Sequence, residues 1–181
     1  MEITHYNIQG IFSFIPRIFK DERGSFFEAF NQKLFEEAAG EKIVFVQDNQ
    51  SSSVQNSLRG LHFQAAPFAQ GKLVRVIKGK AIDVAVDIRK NSPTYGQHVS
   101  VELSGLNNVI LWIPVGFAHG FSVLEEDTIF AYKCTNYYNK ESEGCIVWND
   151  ENLSIDWKIK SPLLSEKDKL GDRFINFKSP F

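Results

Sequence analysis

Between Lys72 and Trp148 apolar and polar residues change places at almost every step, and this alternation limits the fold more than any other feature. Ile82, Val84, Val86 and Ile88 alternate with Asp83, Ala85 and Asp87, a period of two that suits a strand and not a helix. Val99, Val101 and Leu103 alternate with Ser100 and Glu102 in the same way. Lys72 to Lys78 reads as a preceding strand, with Lys78-Gly79-Lys80 as the turn between it and the next. Residues 109–113 are apolar throughout, as a strand buried on both faces requires. Residues 120–124, 128–135 and 144–148 continue the series. Short strands recurring about every ten residues predict an all-β chain, an antiparallel sandwich or barrel. Helix signals are few. Asn31 is a candidate cap for a helix ending at Gly40, with Leu34, Phe35 and Ala38 on one side, and Ser165-Glu166-Lys167-Asp168 opens a second short one.

Composition fits this picture. Sixteen Phe, five Tyr and three Trp favour pleated surfaces over helices. A length of 181 residues, with no repeat or Pro/Gly/Ser linker, predicts a single domain over 1–181. Twenty Lys and Arg against 22 Asp and Glu leave a net charge of -2, which argues against nucleic acid or an anionic membrane as partner. Bilayer-spanning apolar runs are absent, the first residues do not read as a signal peptide, and Cys134 and Cys145 form no CxxC pair. The expectation is a reduced, cytoplasmic protein.

Three segments set chemistry-bearing side chains among strands. In Leu58-Arg59-Gly60-Leu61-His62-Phe63-Gln64, an extended backbone places Leu58, Gly60, His62 and Gln64 on one face and Arg59, Leu61 and Phe63 on the other. Phe130-Ala131-Tyr132-Lys133-Cys134 inserts a tyrosine into an apolar run. Pro114-Val115-Gly116-Phe117-Ala118-His119 is a Pro-x-Gly-x-x-His pattern that resembles the second motif of the cupin superfamily, a double-stranded β-barrel or jelly roll. Metal-binding cupins carry His-x-His in their first motif. Here Gln64 stands where the second histidine belongs, which argues for a metal-free site.

Seven motifs in order carry a narrower resemblance: Asp21-Glu22-Arg23-Gly24, Gln47-Asp48-Asn49, Arg59-Gly60-Leu61-His62-Phe63-Gln64, Asn91-Ser92-Pro93-Thr94-Tyr95-Gly96, Pro114 to Phe121, Trp148-Asn149-Asp150 and Leu164-Ser165-Glu166-Lys167-Asp168. From about residue 3 to residue 170 the chain is similar to the dTDP-4-dehydrorhamnose 3,5-epimerase family. The resemblance implies a cupin-type barrel that needs no cofactor or metal and inverts carbons 3 and 5 of dTDP-4-dehydro-6-deoxy-D-glucose through an enolate. It implies His62 as base, Tyr132 as opposing acid, Lys72 beside the keto oxygen and Asp168 behind the imidazole. Arg23, Arg59 and His119 correspond to diphosphate and sugar contacts. Glu28, Gln47, Asn49, Glu143 and Lys167 correspond to base, ribose and diphosphate positions, and Tyr138 to a ring stacked on thymine. It further implies a homodimer in which the N-terminal segment is exchanged, with Phe26, Phe27 and Glu28 reaching the partner's site.

Each residue also has a plainer reading. His62 serves equally as a satisfied barrel histidine, Tyr132 as a core ring and Lys72 as a solvated strand start. Asp168 fits a Ser-x-x-Asp helix cap, and Arg23 and Arg59 fit structural ion pairs. A related enzyme inverting one carbon, and a non-catalytic nucleotide-sugar binder, share the same motifs.

Overall fold

A computed structural model describes all residues from Met1 to Phe181. Strands are numbered in chain order. One sheet runs β1 (Glu2–His5), β2 (Phe12–Ile15), β10 (Ile110–Ile113), β7 (Lys72–Lys78), β12 (Thr128–Cys134) and β5 (Gln47–Ser53). The other runs β13 (Glu143–Cys145), β6 (Leu58–Gln64), β11 (Phe117–Val123), β8 (Lys80–Asp87) and β9 (His98–Ser104). A separate hairpin pairs β3 (Phe19–Asp21) with β4 (Gly24–Phe26), and every named pairing is antiparallel. Neighbours that are distant in sequence give the jelly roll expected of a cupin. No helix is long and apolar enough to cross a membrane.

The sheets face each other over an interior filled by Val74, Val76, Leu103, Leu111 and Ile113, with Phe121 stacked flat on Phe130 at 3.9 Å between ring centroids. Both outer faces are covered as well. Helix α1 (Gln32–Ala39) lies over the six-stranded sheet and buries Phe35 against Phe12, Phe45 and Trp112. Burial of a ring this size contributes about 1.5–3 kcal/mol. Asn31 Oδ1 accepts the Leu34 N–H, and Gly40 closes the helix at a φ of 73° that glycine adopts without strain. Leu34 departs from the expected apolar side and faces solvent, so the packed stripe is Phe35, Ala38 and Ala39.

Over the five-stranded sheet, the largely irregular segment from Ile146 onward packs Leu153 and Trp157 onto Ile82, Val84, Val86 and Ile88. These four bulky residues therefore point away from the barrel interior, which receives Ala81, Asp83 and Ala85 instead. The 78–80 turn also needs correction. β7 and β8 do not pair, and at Gly79 the chain crosses from one sheet to the other. The strand expected over 144–148 is shorter, ending at Cys145, with Ile146 in an isolated bridge.

Two of the seven sequence motifs serve the architecture. Asp87 takes hydrogen bonds from Arg89, Ser92 and Thr94; burial works to raise its pKa, but these donors hold it at about 2. Asp150, in Trp148-Asn149-Asp150, accepts the Phe174 N–H at 2.8 Å and ties down the C-terminal segment.

Candidate active site

The face assignment made from 58–64 fails in its first half, and the failure builds the site. Pairing of β6 with β11 shifts register between His119 and Phe121, opposite Gly60. Leu58 and Leu61 consequently both pack under the C-terminal segment, and Arg59 and His62 both line the interior cavity. Gly60 permits this. Its φ is 138°, and a Cβ there would meet Gly120 Cα at 2.4 Å, so two backbones touch where other residues would hold them apart.

The cavity has a volume of about 560 Å³, within the range of small-molecule sites. Arg59, His62 and His119 reach it from the five-stranded sheet, Lys72 and Tyr132 from the six-stranded one, and Lys167 and Asp168 from the C-terminal rim. A second lobe of about 350 Å³ holds Gln47, Asn49, Tyr138 and Glu143 and shares His62, Lys72 and Tyr132 with the first. Eleven of the thirteen residues singled out in the sequence thus converge. Arg23 and Glu28 do not. Arg23 is exposed on the β3–β4 hairpin in an ion pair with Asp21, and Glu28 accepts a hydrogen bond from Asn31 at the start of α1.

Asp168 stands both in a capped helix start and beside His62. It lies on α2 (Glu166–Lys169), whose cap, Ser165, accepts the Asp168 N–H and donates its hydroxyl to Oδ2 at 2.5 Å. Oδ1 accepts the Gly60 N–H at 3.2 Å and stands 2.6 Å from His62 Nε2. Burial works to raise the Asp168 pKa, but His62, Ser165 and Gly60 outweigh it and hold the carboxyl at about 2. Proximity and alignment part company here: Nε2 is buried beside the carboxylate without in-line hydrogen-bond geometry.

Lys72 and Tyr132 occupy adjacent strands. Burial pulls the Lys72 ammonium below its ordinary pKa, opposed by Cys134, Asp83 and Glu143, while burial pushes the Tyr132 phenol up and keeps its proton on. In the second lobe, Gln47 Nε2 donates to Asn49 Oδ1, the exposed ring of Tyr138 donates its hydroxyl to Glu143 at 3.0 Å, and Lys167 pairs with Glu143. Arg59 donates one bond, to Ser53 Oγ, and keeps its remaining donors for a ligand.

Sequence reasoning missed Asp83. It is fully buried, its Oδ2 lies 2.8 Å from His119 Nε2, and its Oδ1 has no partner within the protein. Desolvation pushes the His119 pKa down, so the neutral ring donates Nε2–H to Asp83 and offers Nδ1 as an acceptor. The signal existed: a carboxylate between Ala81 and Ala85 in a strand whose other face is entirely apolar. Cys145 was also passed over, although it sits opposite His62 in the β13–β6 ladder.

A family model described as dTDP-4-dehydrorhamnose 3,5-epimerase matches residues 5–175. The dTDP-4-dehydrorhamnose 3,5-epimerase of Shigella flexneri is 52% identical over 176 residues, 97% of each chain. That of Pseudomonas aeruginosa is 53% identical over 175 residues, 96% of each. The crystal structure of the Legionella pneumophila dTDP-6-deoxy-D-glucose-3,5-epimerase, in complex with dTDP-4-keto-L-rhamnose, superposes with a TM-score of 0.94 at 48% identity, covering 98% of this chain and 94% of that one.

Proposed function

Since the chain belongs to the dTDP-4-dehydrorhamnose 3,5-epimerase family, we propose that His62, Lys72 and Tyr132 carry its reaction, with Asp168 holding the imidazole. The chain is an epimerase of the isomerase class, acting on dTDP-4-dehydro-6-deoxy-D-glucose at carbons 3 and 5. One observation carries the assignment of roles: His62 and Tyr132 enter a shared cavity from facing sheets. A sugar ring seated between the sheets presents one face to the imidazole and the other to the phenol.

The ketone at carbon 4 acidifies the hydrogens on carbons 3 and 5. His62 removes one of them, and the electron pair moves onto the carbonyl oxygen as an enolate. The Lys72 ammonium lies beside that oxygen, where one well-placed donor is worth about 3–4 kcal/mol in the barrier. Tyr132 delivers its own proton from the opposite face and the centre inverts; His62 then loses its proton to solvent and the phenolate regains one, which readies the same pair for the second carbon. The Asp168 carboxylate supports the imidazolium formed on the way, as a buried carboxylate beside a catalytic histidine does.

The second lobe takes the nucleotide. Tyr138 offers an exposed ring for thymine, Gln47 and Asn49 offer amides, and Arg59 and Lys167 face the diphosphate. His119, neutral and with Nδ1 as acceptor, suits a sugar hydroxyl better than a phosphate oxygen. Arg23 and Glu28 complete a site only if the hairpin is exchanged between two copies. Phe19 and Phe26, large rings exposed on that hairpin, support a homodimer that covers them. Sedimentation as a fully active monomer would refute that part.

Proton NMR of the substrate in deuterated water tests the whole reading. Deuterium is expected at carbons 3 and 5 with inversion at both; exchange at one carbon alone, or none, overturns it.

A further inference from the structure

We propose that the edge of the cavity behind His62 is also a binding site for a soft divalent cation, Zn²⁺ or Cd²⁺, and that occupancy stops turnover. Cys145 faces His62 across the β13–β6 ladder, and the donor atoms of His62, Cys145 and Asp168 all lie within 4.8 Å of one another. Zinc bonds of about 2.3 Å to sulfur and about 2.0–2.2 Å to nitrogen or oxygen put tetrahedral corners roughly 3.4–3.8 Å apart. The three donors reach those corners by shifts of about an ångström: the thiol closes in, and the 2.6 Å imidazole–carboxylate pair opens.

A second observation points the same way. His62 Nε2 is buried and makes no aligned hydrogen bond, so coordination gives up only its close 2.6 Å pairing with Asp168. The thiol is equally available. Cys145 is free and half-buried, and its Sγ is held only by a 3.6 Å contact to the Ile146 carbonyl. One sulfur, one nitrogen and one carboxylate oxygen favour Zn²⁺ or Cd²⁺ over Mg²⁺ or Ca²⁺. Burial and the neighbouring Asp168 push the thiol pKa up to about 11, so coordination releases one proton as the Zn–S bond replaces the S–H bond. Glu143 nearby favours the cation, and Lys167 opposes it.

Inhibition follows from what the metal replaces. An imidazole bound to a dication, in place of one beside a carboxylate, is a poor base. This step rests on the reading of His62 as the base; the metal site itself does not.

The test uses the full chain and two variants, Cys145→Ala and Cys145→Ser, neither of which removes a group that meets the substrate. Turnover is followed by NMR of the sugar, so that no zinc-sensitive coupling enzyme is needed. Both variants are expected to keep basal turnover while the Zn²⁺ concentration for half-inhibition rises at least about tenfold, since even a lost outer-shell partner costs 10–100-fold in metal affinity. EDTA restores the wild-type rate. Titration with Cd²⁺ reads binding alone: one equivalent should raise a thiolate-to-cadmium ultraviolet band in the wild type and in Cys134→Ala, and in neither Cys145 variant. Equal zinc sensitivity in wild type and variants overturns the proposal, and so does the absence of the band. A band without inhibition keeps the site but overturns its effect on turnover. A chain with the band and no epimerase activity at all overturns instead the catalytic reading.

Discussion

His62 and His119 are register partners on adjacent strands, and each sets Nε2 close to a carboxylate oxygen, at 2.6 Å from Asp168 and 2.8 Å from Asp83. Their surroundings differ in three ways. The His62 side chain is 25% exposed and that of His119 7%, so one ring meets the cavity and the other is largely walled in. Both Asp168 oxygens accept a hydrogen bond, from Ser165 and from Gly60, whereas Asp83 keeps one oxygen unpartnered. The His119 pair is an aligned hydrogen bond; the His62 pair is close but not aligned. A locked, desolvated imidazole is a fixed donor–acceptor post. One with access to a ligand, and a carboxylate held ionised behind it, is equipped to take and release a proton. On the proposed roles, two copies of one chemical pair divide into a reader and a worker by burial, alignment and the partners of the carboxylate.

That division breaks first at His62. His62→Ala should lower kcat by about 10²–10⁴-fold with the fold intact by circular dichroism; a variant within tenfold of wild type removes His62 from the chemistry. Asp168→Asn comes next. Loss of a charge-assisted partner worth about 1.5–3 kcal/mol predicts a fall of roughly 10–10²-fold in kcat with little change in KM. A change in KM alone would make Asp168 a binding residue. Asp83→Asn should act in the opposite sense. It disturbs the His119 tautomer and raises KM about three- to tenfold, with kcat nearly unchanged. If kcat falls as far as in Asp168→Asn, the two pairs are functionally alike and the contrast is wrong.

The smallest effect concerns stability in acid. Asp168 has a folded pKa of about 2 against an ordinary 3.8, so its contribution is complete above 3.8 and fades as pH falls through about 2. The pH-dependent part is about 2 kcal/mol. Urea unfolding of wild type and Asp168→Asn should show a stability gap that is constant from pH 7 to 5 and narrows between pH 4 and 2. A gap that does not narrow means the carboxylate is not specially held.

Much of this was legible in the chain, for a physical reason. Period-two alternation survives in strands with unlike faces, so β8 and β9 could be read directly, as could the cap at Asn31 and the stop at Gly40; β10 was legible as an apolar run, and β11 only from Gly120 although it begins at Phe117. What could not be read was which face of β8 looks inward, because both faces are buried and the bulkier one packs under a C-terminal segment with little regular structure. The face of Arg59 was lost to a register shift, which depends on pairing with β11 and leaves no local mark. The resemblance in seven motifs named most of the site residues, although Asp83 lay in none of them and was found only through its contact with His119.

β5 is the opposite case. Gln47–Ser53 contains no apolar residue, and nothing in its pattern suggests a strand. Its backbone ladder with β12 runs its whole length, the Asp48–Lys133 and Ser53–Arg59 contacts add to it, and Gln47, Asn49, Gln50 and Ser51 line the site. Because little of the core depends on these side chains, exchanging them costs the barrel little. This strand is therefore where descendants of such a scaffold are free to acquire a taste for a different nucleotide sugar, long before the packed strands opposite can tolerate any change.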